Sequence, residues 1–363
     1  MSATNRSSRL GHRKSRSGCR KCRERRVKCD EVQPHSEEPL DNLPESTTRR
    51  LLELRLLQNW YASMIDVFPL PAPQSWRDIF SKAIPSEAMK HSNLLYILLA
   101  VSATNLLRSE PSNFELSRAR QSYMVSAMRE QRRMVDSMSP DNAEPVSLAA
   151  MLILLNAFAM MQERSLEPYV PPNEWLAMGK GTRAVLWMSV QPIRKSGGAE
   201  GGASIGLLGL AASSPRFGLD ESYFEPGLRE NFAGVLAQDL PSGDIWDYET
   251  REAYEKTLSY VGSVQKAIRG GEPVYAVAKR IQAFPVVIPR QFSDLVAEQR
   301  PRALVVLAHY FAVVSQVSGI WWLDSRADGA EPMPKREVLA IRAALPEEWQ
   351  GQMVWPLDMV GQP

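Results

Sequence analysis

The only thiols in this 363-residue chain are Cys19, Cys22 and Cys29, crowded into one short basic stretch. Their spacing, C-x2-C-x6-C, lets the first two grip one metal ion from a tight turn. A third thiol seven residues on returns about two helical turns later, on the same side. Three clustered cysteines do not form a secreted disulfide framework, which needs an even number spread through the fold, so zinc ligation is the expected chemistry. Between the thiols stand Arg20, Arg23, Arg25, Arg26 and Lys28. A metal-stapled helix that projects Arg23, Arg25, Arg26 and Lys28 can enter a DNA major groove, where Arg reads guanine O6 and N7 in bidentate fashion.

The segment HRKSRSGCRKCRERRVKCDEVQP, residues 12–34, resembles the first half of the fungal binuclear zinc cluster, the Zn2Cys6 transcription-factor domain. The likeness rests on the three spaced cysteines, Lys28 before the third, Asp30 after it, Pro34 in the loop and the basic lead-in. It implies that Arg25 and Arg26 contact bases and that Arg20, Arg23 and Lys28 meet phosphates. It also implies six cysteines around two zinc ions, and here the sequence departs. After His35 the chain continues Ser36-Glu37-Glu38-Pro39, and the fourth, fifth and sixth ligands are missing. Three sulfurs cannot hold two ions. Two readings of the arm follow: one zinc held by Cys19, Cys22, Cys29 and His35, with His12 as an alternative fourth ligand, or a metal-free basic arm. Even unfolded, such an arm binds phosphate weakly and with strong salt dependence. A truncated product and a gene model that omits an exon at His35–Ser36 both account for the break; the abrupt start of linker-like sequence favours the second.

The charge distribution separates this arm from the rest. Residues 1–35 carry eleven Lys/Arg and three acids, a local +8, inside a chain whose formal net charge is +2; the remainder is therefore −6. The expected organisation is an arm over 1–36, an acidic linker over 37–48 and a large domain over 49–363. The acid-free, Arg- and Ser-rich start superficially resembles a mitochondrial transit peptide, but it lacks the apolar residues for an amphipathic helix. HRKSR and RERRVK suit nuclear import, and the expected location is the nucleus.

The positioning elements are expected to be mostly all-α. Thr47 and Thr48 cap an apolar stripe through Met64, and a long helix is expected from Pro85 or Ser86 through Leu107. Further helices are expected at about 112–138, 147–162, 173–190, 249–268, 291–299 and 301–322. Prolines at both ends make Phe284–Pro289 an extended connector. The Gly-, Ser- and Ala-rich stretch 192–244 reads as a flexible loop. Ala303–Leu323 is long enough to span a bilayer, but His309, Ser315, Gln316 and Ser318 make it a buried helix, with no membrane partner.

The segments RRLLELRLLQNWYASM, AMKHSNLLYILLAVSATNLL, PRALVVLAHYFAVV and LPEEWQGQMVWPLDMVG, in that order, resemble the regulatory domain of sterol uptake control protein-type fungal zinc-cluster regulators. The resemblance implies an all-α domain that receives a hydrophobic small-molecule effector or a partner protein, with DNA as a partner of the whole and a homodimer as a further state. No four-heptad pattern follows the arm. Tyr310, Phe311, Trp321 and Trp322 could line an apolar pocket, against the simpler reading that they are core. Enzyme chemistry finds no support. His91 and His309 sit in apolar helices and read as structural, and no G-x-S-x-G, Walker A or H-E-x-x-H motif occurs. The glycines at 197–209 follow no strand and so do not read as a dinucleotide loop. The expected function is a zinc-dependent, DNA-binding transcription regulator of the RNA polymerase II type with an incomplete cluster. The alternative is a helical effector or partner module, derived from such a regulator, that does not read DNA.

Overall fold

The computed structural model describes residues 46–64, 74–195, 232, 234–237, 246–324 and 329–361. All belong to one unit, Glu45–Pro363. The arm, its three cysteines and nearly all of the acidic linker lie outside the described residues.

Every regular element among the described residues is a helix, as expected. Helix α1 (Thr47–Asn59) begins at Ser46, whose hydroxyl accepts the Arg49 N–H at 3.2 Å. The cap thus sits one residue earlier than the threonines expected to supply it. A π turn (Trp60–Met64) extends α1; α2 (Gln74–Asp78), a second π turn (Ile79–Ala83) and α3 (Ile84–Ala88) follow. The single helix expected from Pro85 to Leu107 is in fact two. His91 is extended (φ −131°), and α4 (Ser92–Leu107) starts after it. The bend lets α3 bury Ile84, Pro85 and Ala88 while α4 buries nearly its whole circumference, which one straight rod could not do.

Helices α5 (Phe114–Asp136) and α6 (Ala143–Met160) pack on α4. Asn113 caps α5 by accepting the Leu116 N–H at 3.0 Å. Both α4 and α6 are apolar all round and therefore central. Polar pairs fix how these layers register. Asn59 donates to Ser102 Oγ at 3.0 Å and to Asn105 Oδ1 at 3.1 Å. Asn93 donates to Gln131 Oε1 and Gln131 to the Val146 carbonyl, each at 2.8 Å. Thr104 donates to Asn156 Oδ1 at 2.7 Å. Among the described residues Ala143–Glu163 is the one helix long and apolar enough to cross a bilayer. It is a core element here, with 78% of that window buried in the fold.

The second half is built around α11 (Pro301–Val314), in which every residue from Arg302 onward is buried. It ends well short of the expected residue 322. Ser315 turns its hydroxyl back to the Ala312 carbonyl, and Gly319, at φ +79°, redirects the chain. Around α11 lie α7 (Asn173–Lys195), α8 (Tyr248–Arg269), α9 (Val274–Val287), α10 (Arg290–Ala297), α12 (Met333–Ala344) and α13 (Val354–Met359). Asp247 caps α8, accepting the Thr250 N–H at 2.7 Å.

Helix α9 overturns the expected extended connector, because Phe284–Val287 form its last turn with Pro285 inside it. A proline there lacks the N–H that would bond the Ile281 carbonyl. The Tyr310 hydroxyl of α11 supplies the missing donor at 2.9 Å. Burial pushes that hydroxyl far above its usual range and keeps it protonated. On the other side of Pro285, Gly179 of α7 lies so close that any Cβ would strike the proline's side chain and backbone. A bound carbonyl and a bare glycine together let a mid-helix proline stand.

An ion pair ties the turn after α6 to α12. Arg164 grips the buried Glu337 with two bonds, 2.7 and 2.6 Å, and Arg336 donates to the Gln162 carbonyl at 2.6 Å. Burial opposes the charge on Arg164, yet the Glu337 carboxylate raises its pKa. Of the expected loop, α7 claims the first residues up to Lys195. Phe232 and a 3-10 turn (Gly234–Leu236) are described further on, and 196–231 lie outside the described residues.

Candidate functional site

Two places in the described unit have the chemistry to be sites. The first is the aromatic cluster for which an apolar pocket stood beside the simpler reading of core. Tyr310, Phe311 and Trp322 are all fully buried, and Trp321 is half-buried. Rings fill the space they would have lined: Phe158 stacks on Trp175 at 4.9 Å and meets Trp322 edge-on at 5.2 Å, while Phe284 stacks on Tyr310 at 3.8 Å. Trp175 and Trp322 leave their indole N–H groups without a hydrogen-bond partner. The cluster is core, drawn together by area and ring packing.

The histidines are structural, as expected. His91 marks the start of α4, with its carbonyl accepting the Leu94 and Leu95 N–H groups. His309 is buried, with Nδ1 at 2.8 Å from the Val305 carbonyl and its ring stacked on Trp355 at 5.2 Å. Lys279 has an amine pushed down to about 8 by burial, with Arg280 adding to the effect, and it faces the Trp76 ring at 5.9 Å. Among the described residues no three His, Cys, Asp or Glu side chains come together to hold a metal.

The second place was not anticipated. Between α7, α9 and α10 lies an open cavity of about 440 Å³. Lys180, Arg183 and Arg290 rim it, and Pro285, Val286 and Ile288 form its apolar wall. Asp294 stands beside it, 2.8 Å from Lys180 Nζ and 3.6 Å from Arg290 Nε. The only trace in the sequence is Lys180 and Arg183 one turn apart, a pattern too common on helix surfaces to single out. The partners Arg290 and Ile288 come from beyond residue 284, where a connector was expected. The zinc and DNA residues, Cys19, Cys22, Cys29, His35, Arg20, Arg23, Arg25, Arg26 and Lys28, lie outside the described residues.

Residues 55–186, from α1 into α7, match the family described as "Fungal specific transcription factor domain". The chain is 26% identical over 324 residues to a Zn(2)-C6 fungal-type transcription factor of Gibberella zeae, covering 85% of this chain and 61% of that protein. It is 27% identical over 283 residues to the Zn(2)-C6 fungal-type transcription factor afumD of Aspergillus fumigatus, covering 77% and 71%. It is 22% identical over 309 residues to sterol uptake control protein 2 of Candida albicans, covering 81% and 42%. The chain thus spans less than two thirds of the Gibberella and Candida relatives. These relatives are named as transcription factors and control proteins, not as enzymes, in line with the expected absence of catalysis.

Proposed function

We propose that this chain, whose residues 55–186 match the fungal specific transcription factor domain and which is similar to Zn(2)-C6 fungal-type transcription factors, is a nuclear regulator of transcription. In this reading residues 1–36 are its DNA-contacting arm, 37–48 a linker, and 49–363 a helical regulatory domain. The observation that carries the proposal is the C-x2-C-x6-C spacing of Cys19, Cys22 and Cys29 upstream of that domain. Three thiols suit one zinc ion if His35 or His12 closes the tetrahedron, and they do not suit two. Bound zinc would act as a structural staple for Arg20–Lys28. Arg25 and Arg26 would then reach bases, and Arg20, Arg23 and Lys28 phosphates.

The test is zinc content and DNA binding of the full chain beside its Cys19→Ser variant. One zinc per chain, lost in the variant together with sequence-dependent binding, is the expected result. A chain without zinc whose DNA binding is blind to sequence and abolished by moderate salt overturns it. A second reading rests on the three absent cysteines: a helical partner or effector module that does not read DNA. Sequencing the transcript across codons 30–45 bears on both. A continuous message encoding this chain favours the module, and an extra exon restoring three cysteines favours the regulator.

A further inference from the structure

The cavity beside α7 has a charge pattern and a neighbour that the regulator reading leaves unused. Three cations rim it, and one nearby carboxylate, Asp294, is shared between Lys180 and Arg290. Arg183 is exposed and has no ion-pair partner among the described residues. Arg290 is also open to solvent, with 85% of its side chain exposed. One helical turn beyond Arg183, Trp187 exposes 80% of its surface, with Met188 beside it at 38%. Residues four apart share a helix face, so the indole and the free guanidinium are neighbours. Gly181 also lines the cavity.

We propose that this face of α7 docks an acidic peptide segment of a partner protein. Its carboxylates would pair with Arg183, Arg290 and Lys180, and an apolar side chain would lie between the Pro285–Ile288 wall and Trp187. Exposed Trp and Arg are the residue types that dominate binding energy at interfaces, and complementary charge sets encounter rate and register. A nucleic acid strand fits less well. Phosphates have nothing to place against Pro285, Val286 and Ile288. The surface depends on neither zinc nor DNA, so its failure and that of the regulator reading are separable.

The test uses the full chain and a fluorescent peptide alternating Glu and Leu with one Phe, read by anisotropy. A matched peptide with Gln for Glu and a short single-stranded DNA serve as competitors. Binding is expected to weaken about tenfold in Arg183→Glu/Arg290→Glu and several-fold in Trp187→Ser. Because Arg183, Trp187 and Arg290 are all exposed, these variants are expected to keep the parent's Tm while binding falls. That combination separates docking from misfolding. The proposal is overturned if the charge-reversed variant binds as tightly as the parent. Equal binding of the Gln peptide, or displacement by DNA at equal concentration, overturns it too.

Discussion

The two halves of the described unit are each built around a buried helix but specify their geometry by different means. Around α4, amides and hydroxyls pair across helices: Asn59 with Ser102 and Asn105, Asn93 with Gln131, Thr104 with Asn156. Around α11, rings stack on rings, and the indole N–H groups of Trp175, Trp321 and Trp322 go without partners. A helix like α4, apolar all round, can rotate or slide among similar neighbours at little loss of buried area. Buried polar pairs penalise each wrong register, since a displaced amide loses its partner in a dry interior. Large aromatic rings do the same by shape alone, because a displaced indole leaves a void.

Breaking the aromatic half should cost most. Trp175→Ala removes a ring that touches Phe158, Phe284 and Tyr310, and an unfolding loss of about 3–5 kcal/mol is expected in urea titration. A loss below about 1 kcal/mol would show that the cluster closes over the gap, and shape would then not be what specifies this half. In the polar half, Gln131→Leu deletes both bonds of the Asn93–Gln131–Val146 chain while keeping volume. The expected loss is about 1–3 kcal/mol, with stability rather than compactness affected, so the urea midpoint moves and the slope does not.

Tyr310→Phe sharpens the contrast by removing one of the few hydrogen bonds the ring cluster needs. The Ile281 carbonyl would lose its donor at about 1–2 kcal/mol, with amide exchange rising first in α9. The smallest effect concerns Asp247 at the start of α8. The Thr250 N–H holds its carboxyl below the usual carboxylate range, so its contribution is present above the unfolded pKa and lost as pH falls through the folded one. Between pH 6 and pH 3, Tm of the parent should therefore fall slightly more than that of Asp247→Asn, which caps without titrating.

Much of the fold was legible because periodicity is a local property. The spans of α5, α8 and α10 lie close to their expected limits, since caps such as Asn113 and Asp247 are written into the residues beside them. What failed was non-local. Helix α9 keeps Pro285 only because Tyr310 and Gly179, distant in sequence, accommodate it, and no window around residues 284–289 contains that information. Helix α11 stops at Val314 although the apolar run goes on, and beyond the stop Trp322 packs edge-on against Phe158, distant in sequence. The site divides along the same line. A cysteine motif carries its own spacing and could be read from residues alone. The α7 cavity is assembled from three helices, one of them built around that misread proline.

Nine tryptophans would ordinarily blur the protein's emission. Here one stands apart, because Trp187 faces solvent while every other described indole is buried or half-buried. With Arg183 one turn away, an anionic quencher such as iodide is drawn to that indole and caesium is turned aside. The molecule thus carries its own optical gauge of local field, tuned to the face where a partner would arrive.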